Sequence, residues 1–408
     1  MIPLEEAQAE VLAACRPGPA RAVAVADALG LVLAEAVRAE ESVPPFRNTA
    51  MDGYAVRAAD VAGASAERPV RLKVTGTLAA GRAPAMRVGR GEALRIMTAA
   101  LFPEGADAVA IVENTRPAGD EVEVLAPAEP GDHIRGAGED ISAGQELFAA
   151  GTVLGPGHLG VLCSVGVQAV PAVAAPVVGV LSTGDELVET GGRLEPGQIR
   201  DSNRRTLLSL LRRDGFVPVD LGLARDDESE IERVLRDGVA RCDAVMTSGG
   251  VSMGDFDYVK SVLDRIGRMH WMQVAIRPAK PFAFGVIGDT PVFGLPGNPV
   301  SSMVSYEVLA RPGLRRMSGR RDEDVHRRPV AAVVEGAGWR GGRDGRTSFV
   351  RVSSRFGADG RLRVTSSGGQ GSHQLYAMAQ ADALAISPPG QDVAVGDTVG
   401  ALLLDGRW

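Results

Sequence analysis

PVVGVLSTGDEL (176–187) decides the fold. Residues 176–182 form an unbroken apolar run that stops at Thr183-Gly184, which predicts a strand covered on both faces. The pattern recurs in FVPVDLG (216–222), DAVMTSGG (243–250), HWMQVAI (270–276), PFAFGVI (281–287) and PVFGLPG (291–297). Helical spacing fills the gaps: Leu207, Leu208, Leu210 and Leu211; then Ile231, Val234, Leu235 and Val239; then Val259, Val262, Leu263 and Ile266. A further helix opens at Asn298-Pro299. Buried strands alternating with amphipathic helices predict a doubly wound, parallel α/β domain over 176–320. In such a sheet, ligands sit at the carboxyl ends of the strands.

Outward from this domain the character changes. Leu4, Ala7, Val11 and Leu12 have helical spacing, and 26–37 reads as a second short helix. Residues 42–51 read as a loop. VRLKVTG (70–76), ALRIMTA (93–99), DAVAIV (107–112) and EVEVL (121–125) predict a small β-rich domain over 43–140. Residues 151–166 turn partly helical again, so 1–42 and 141–175 are expected to form one elongated linker domain interrupted by the β insertion. RRDEDVHRR (320–328) reads as a linker, and the short β segments of 321–408 predict a C-terminal β-barrel.

The 408-residue chain holds 51 Gly, 25 Pro and only 17 aromatic residues, with 45% hydrophobic and 23% charged residues. These proportions exclude wholesale disorder and fibrous repeats, and place the glycine in turns where backbone can approach a ligand. The net charge of −7 divides into −8 for 1–175, 0 for 176–320 and +1 for 321–408. With no basic domain, nucleic acid and anionic membrane are excluded as main partners. Cys15, Cys163 and Cys242 lie far apart and offer no disulfide framework or thiolate zinc site. With no signal-like start and no apolar run of about 18 residues, a cytoplasmic protein is expected.

Three apolar strands end in LSTGDEL (181–187), MTSGGVSMGDFDY (246–258) and LPGNPVSS (295–302), turns suited to phosphate. No Walker A loop and no GxGxxG follows a strand, so P-loop kinases and Rossmann dehydrogenases are disfavoured. The turns also carry Asp185, Glu186, Asp255 and Asp257, and a further strand ends at Asp226 and Asp227. Carboxylates beside phosphate call for a cation, so Mg²⁺ held jointly by carboxylates and a phosphorylated substrate is expected. Asp227, three residues before Glu230, reads instead as a helix cap. Asn298-Pro299 fits an N-cap and first helical position, so Pro299 alone proves nothing. Glu186 and Asp257 have no such explanation. Asp52 (NTAMDGYAV) and Thr98 (RIMTAA), taken alone, are an ordinary turn and strand end.

In order, PPFRNTAMDGYAV, RIMTAALFPEGADAV, GEDISAG, GVLSTGDELV, GQIRDSN, TSGGVSMGDFDY and GLPGNPVSS resemble the molybdopterin molybdotransferases, the family of bacterial MoeA and the gephyrin E domain. The resemblance covers 1 to about 320 and implies a MogA-like α/β domain. It implies that molybdate and adenylylated molybdopterin react, with Mg²⁺, to give the molybdenum cofactor and AMP. It implies catalytic roles for Asp52, Thr98, Asp140, Glu186, Asp226 and Asp257, with Glu186 and Asp257 as metal ligands. The substrate would be bound by Ser182, Thr183, Gly184, Ser248, Gly249, Gly250, Ser252, Pro296, Gly297, Asn298 and Pro299. AIRPAKPFAF (275–284) resembles the family's basic loop, with Arg277 where many relatives have Lys, Ala279 where many have Gly, and Lys280. Together with Arg351 (SFVRV) and Ser372 (QGSHQL) it implies a molybdate pocket.

The resemblance also implies a homodimer in which Asp52 and Thr98 of one subunit face Glu186 and Asp257 of the other. A molybdopterin adenylyltransferase and apo-molybdoenzymes are the implied protein partners. A non-catalytic molybdopterin-binding scaffold, a tungstate-inserting relative and a generic Mg²⁺-dependent phosphatase or nucleotidyltransferase are the competing readings.

Overall fold

The computed structural model describes residues 1–83, 86–250 and 258–404. Its centre is a six-stranded sheet in the order Val217–Ala224, Val177–Thr183, Ala244–Ser248, Thr290–Leu295, Pro281–Ile287, Arg268–Gln273. The first four strands are parallel, as the apolar runs predict. The fifth is reversed: Pro281–Ile287 runs antiparallel to both neighbours, so Arg268–Gln273 at the edge again runs with the first four. Only Gly288 and Asp289 separate Pro281–Ile287 from Thr290–Leu295, enough for a hairpin and far too few for a crossover. The sheet is therefore mixed, with its antiparallel part at one edge.

Helices Asn203–Arg213, Glu228–Arg241 and Tyr258–Ile266 bury the leucines and valines that their spacing singles out. The opening helix Leu4–Ala14 also belongs to this core. Its Ala7 and Val11 pack in one cluster with Phe293 and Leu314. At Gly313 a Cβ atom would stand 2.8 Å from both Val11 Cγ1 and Cys15 Sγ, so the helices meet at a glycine because nothing larger fits.

Ala20–Ala24 pairs antiparallel with Ala169–Val173, with Ala22 opposite Pro171, and Val32–Leu33 flanks the same strand. One body thus uses chain from either side of the β insertion. The expected helix over 26–37 is absent: a 3₁₀ turn at Val25–Asp27 gives way, through Gly30 at φ +80°, to short strands at Val32–Leu33 and Val37–Arg38. Apolar side chains at 32 and 33 gain more by pairing in the sheet than one helical turn returns. The insertion folds as a six-stranded sheet in the order Ala108–Ile111, Gly53–Val56, Glu92–Ile96, Val70–Leu78, Glu121–Val124, Thr115–Ala118.

In the C-terminal region, Thr347–Phe356, Leu362–Ser366, Val330–Val334, Thr398–Leu403 and Ala383–Ser387 pair in sequence, and the last pairs back with the first. The result is a closed five-stranded barrel, in which one edge of the long first strand stays open at Thr347–Ser348. Ile276–Arg277, from the α/β domain, adds to the outside of this barrel in parallel with Thr347–Ser348. The stretch read as a linker, 320–328, is packed: it contains the short helix Asp322–Val325, whose Val325 is fully buried.

Where barrel and α/β domain meet, Tyr306 is fully buried in a π-helical turn, Tyr306–Ala310. Its hydroxyl donates to Asp214 Oδ2 at 2.7 Å, a carboxylate that also receives Arg213 and Arg311. Tyr306→Phe would remove one charge-assisted donor from a buried carboxylate and should lower unfolding free energy by about 2 kcal/mol, read as a shift in the urea midpoint at unchanged slope.

Candidate functional site

Four strands of the sheet end together. Ser182 is buried at the end of the first, and its hydroxyl donates to Asp201 Oδ1 at 3.1 Å. Thr183 follows it in the strand, and Gly184 leaves the strand at φ +145°, a conformation open to glycine. A Cβ at Gly184 would stand 2.5 Å from Glu186 Oε2, so the Glu186 carboxylate folds back over the glycine. Glu186 is exposed and has no ion-pair or hydrogen-bond partner for its carboxylate among the described residues.

The loops after Val177–Thr183 and Val217–Ala224 are joined reciprocally. The Asp185 amide donates to Asp226 Oδ2 at 3.3 Å and the Asp226 amide to Asp185 Oδ1 at 3.2 Å. Asp227 caps its helix, accepting the Glu230 amide at 2.8 Å. The local argument for the cap thus holds, and Asp226 is left facing the strand ends.

Ser248 ends the third strand. Gly249 and Gly250 both have positive φ; a Cβ on Gly250 would lie 2.4 Å from Val259, and one on Gly249 3.1 Å from the Thr183 carbonyl. Ser252 and Asp257 lie outside the described residues. The fourth strand runs into Pro296, Gly297 and Asn298. Asn298 stands at the cap position before Pro299, but its side chain makes no capping hydrogen bond.

The residue that knits these turns together is Asn203. Its amide nitrogen donates to Ser248 Oγ at 2.8 Å and to the Gly297 carbonyl at 2.7 Å. Asn203 sits in the first turn of a helix anchored by Arg204, which is 2% exposed and surrounded by carboxylates. Arg204 donates to Asp201 Oδ2 at 2.9 Å, to Asp220 Oδ1 at 2.5 Å, and to Glu189. Burial alone would lower this guanidinium, but the bonds to Asp201, Asp220 and Glu189 outweigh it and hold it above its ordinary value. Sequence reasoning quoted GQIRDSN yet gave Asp201, Asn203 and Arg204 no role. The signal present was an acid and a base at helical i, i+3 spacing just before a leucine-rich helix.

The basic segment lies alongside. Arg277 is exposed and Lys280 half-buried, and neither pairs with a carboxylate among the described residues. Pairing of Ile276–Arg277 with Thr347–Ser348 places them next to the barrel strand that carries Arg351. Arg351 is fully buried and has no acidic partner among the described residues; Nη2 donates to the carbonyls of Gly369 and Gly371, while Nε and Nη1 find no acceptor among them. Burial pushes this guanidinium below its ordinary value. Ser372 follows in the same loop, and its carbonyl accepts the Val300 amide at 3.0 Å, docking the loop on the helix after Pro299.

Asp52 and Thr98 stand apart, in the inserted β domain. Asp52 Oδ1 accepts both the Thr98 amide, at 2.7 Å, and the Thr98 hydroxyl, at 2.9 Å. The amide first, and then the hydroxyl, hold this exposed carboxyl below its usual range. Asp140 is exposed in a turn whose amide donates to the Val43 carbonyl. No hydrogen bond or ion pair joins Asp52, Thr98 or Asp140 to the strand-end cluster among the described residues. A cavity of about 500 Å³ between the linker strands and the α/β sheet, lined by Arg16, Arg21, Pro176 and Asp243, opens at the opposite, amino-terminal ends of the strands.

Strand-end turns of an α/β domain, with Arg277 and Lys280 at the same end and the barrel strand of Arg351 adjoining, have the form of a site suited to an anionic ligand. Comparison with known proteins gives the chain its family. Three family models match in order: "MoeA N-terminal region (domain I and II)" at 2–166, "Probable molybdopterin binding domain" at 179–316 and "MoeA C-terminal region (domain IV)" at 341–404. The molybdopterin molybdenumtransferase of Haemophilus influenzae is 35% identical, with 98% of each chain covered. Molybdopterin molybdenumtransferase 2 of Mycobacterium tuberculosis is 38% identical, with 92% of each covered. The crystal structure of a molybdopterin biosynthesis MoeA protein from Pyrococcus horikoshii superposes with a TM-score of 0.81 at 34% identity, with 100% of each chain covered. The chain belongs to the MoeA family of molybdenum cofactor biosynthesis.

Asn203→Ala would free two turns at once and should cost about 2 kcal/mol of stability in a urea titration, with Asn203→Asp costing more because a carboxylate would face the Gly297 carbonyl. The depressed Asp52 carboxyl contributes stability that is complete above its unfolded value near about 4 and is lost as pH falls through its lower folded value. Thr98→Ala should move the Asp52 carboxyl ¹³C titration midpoint upward while leaving it below the ordinary range, since the backbone amide remains.

Proposed function

We propose that this chain is a molybdenumtransferase that inserts molybdate into adenylylated molybdopterin and releases AMP in the cytoplasm, working as a homodimer. The observation that carries the proposal is the union of phosphate-suited turns, knit by Asn203, with the unpaired cations Arg277, Lys280 and Arg351 on adjoining strands. The substrate's phosphate groups suit the turns at Ser182–Gly184, Ser248–Gly250 and Pro296–Asn298, which gather at the carboxyl ends of the parallel strands. Molybdate suits the cationic side, with Ser372 as a hydroxyl donor.

The donor set fits magnesium, which takes oxygen ligands and is held by one or two carboxylates plus substrate phosphates. Glu186, with its carboxylate free over Gly184, and Asp257 would hold it, and Asp226 accepts the amide of Asp185, next to Glu186 in the chain. When bound, the ion neutralises charge on the phosphoanhydride as it breaks. Water then adds to phosphorus, the bridging P–O bond breaks, and AMP leaves. Asp52, kept ionised by Thr98, is available to position that water or the metal's hydration shell from the partner subunit. Molybdopterin adenylyltransferase as supplier and apo-molybdoenzymes as recipients complete the proposed partners. No helix among the described residues is long and apolar enough to cross a membrane.

The test is AMP release and reconstitution of an apo-molybdoenzyme from adenylylated molybdopterin, Mg²⁺ and either molybdate or tungstate. Glu186→Gln should lower AMP release by about 100-fold, on the order of 2.7 kcal/mol in the barrier. Mixed Asp52→Ala and Glu186→Ala chains should recover one competent site per heterodimer. No AMP with either oxyanion would favour a non-catalytic molybdopterin-binding scaffold, and no recovery in mixed dimers would sink the shared site.

A further inference from the structure

Among the described residues, the junction between the α/β domain and the barrel holds more buried and half-buried positive charge than its carboxylates balance. Asp214 and Glu307 are shared by Arg213, Arg311 and Arg327 at 2.5–3.9 Å. Arg315 and Arg320 stand beside these with no ion pair among the described residues. Among the described residues, three buried guanidinium nitrogens lack a hydrogen-bond acceptor: Arg311 Nη1, Arg315 Nε and Arg327 Nη2, the last 3.8 Å from Asp214 Oδ1. Neighbouring acids are already engaged, Asp324 by Arg328 at 2.9 Å, Asp322 by Arg316 at 3.6 Å and Glu323 by Arg321 at 3.8 Å. Burial, and then repulsion from Arg311 and Arg320, push Arg315 down to about 9. Burial, with Arg315 and Arg311, likewise pushes His326 below its ordinary value.

A cavity of about 270 Å³ opens on this cluster, lined by Arg315, Arg327, Arg328, His326, Asp324 and, on its apolar side, Val330 and Leu403. Two of these three arginines, Arg315 and Arg327, line the cavity with Arg328 and His326, and its one carboxylate, Asp324, is already held by Arg328, so the cavity carries a positive excess that an anion would offset. Planar forks with free N–H groups match tetrahedral oxyanions.

We propose that this cavity is a binding site for a tetrahedral oxyanion, molybdate or phosphate, distinct from the strand-end site. Arg315 lies on the helix Arg311–Met317, while Arg327 donates to the carbonyl of Leu403 in the barrel's last strand at 2.7 Å. The anion therefore ties barrel to α/β domain, and its occupancy sets how firmly the barrel that carries Arg351 and Ser372 is held.

The experiment is thermal unfolding of the full chain carrying Arg277→Ala and Lys280→Ala, which removes the basic groups proposed for the strand-end site. Molybdate, phosphate or chloride is titrated at constant ionic strength. We expect a saturable rise in Tm with an oxyanion and none with chloride. A rise with molybdate alone assigns the reaction's own oxyanion as occupant; a rise with phosphate assigns the phosphate class. Adding Arg315→Met should weaken the apparent affinity at least tenfold and raise Tm in anion-free buffer, because an unbalanced buried charge is gone. If that variant does not fold, His326→Gln and Arg315→Lys should each weaken the response severalfold. Equal effects of chloride and oxyanion, or an undiminished response in the Arg315 and His326 variants, would overturn the proposal.

Discussion

The strand-end site depends on one buried cation. Taking a guanidinium out of water costs several kcal/mol, and Arg204 is tolerated only because Asp201, Asp220 and Glu189 take up its donors. That requirement fixes geometry. Asp201 must point inward, where it also receives the Ser182 hydroxyl, and the helix must begin with Asn203 facing Ser248 and Gly297. Three turns from strands far apart in sequence are thereby registered to one another before any ligand arrives. Preorganisation of this kind is what makes backbone N–H groups effective toward phosphate, since no reorganisation is needed on binding.

What could be read in the sequence follows the range of the interactions. The buried strands were legible because each is a contiguous apolar run, and the Asp227 cap because its partner is three residues away. The helix expected over 26–37 failed because its alternative, pairing with Ala169–Val173, lies more than 130 residues downstream. Asn203 escaped notice for the same reason: its acceptors are 45 and 94 residues distant. Asp52 and Thr98, 46 residues apart, read singly as turn residues, and only the fold makes them a hydrogen-bonded pair. Motif resemblance reached these residues because it carries tertiary information that spacing lacks.

Ala279 shows the converse, a local oddity with a tertiary cause. It holds φ +81°, a conformation that disfavours any side chain by about 1–2 kcal/mol. It is 3% exposed and packs in the cluster that includes Phe282 and Phe349. Strained backbone persists where surrounding structure over-determines it, and here both flanks are fixed. Ile276–Arg277 is hydrogen-bonded to the barrel, and the Lys280 carbonyl accepts the Val274 amide at 2.7 Å. Two cations are thus presented from a tight, pinned turn.

Electrostatics divides the chain into three kinds of place. Around Arg204 carboxylates outnumber the cation and close the network; around Arg351 and the interdomain arginines cations outnumber acceptors and leave donors free. At Asp52 a single carboxylate is satisfied by neutral donors and stays exposed. The overall charge of −7 averages over all three and conceals each. Asp52 sits on the inserted domain, and Glu186 with the cationic surplus on the α/β and barrel side, with no hydrogen bond or ion pair joining the two groups among the described residues. A shared site of the kind proposed above would bring Asp52 to Glu186 by movement of the insertion or from a second chain. The insertion's six-stranded sheet is a self-contained body with its own apolar clusters, so it can present Asp52 outward as a rigid unit to another protomer without being remade.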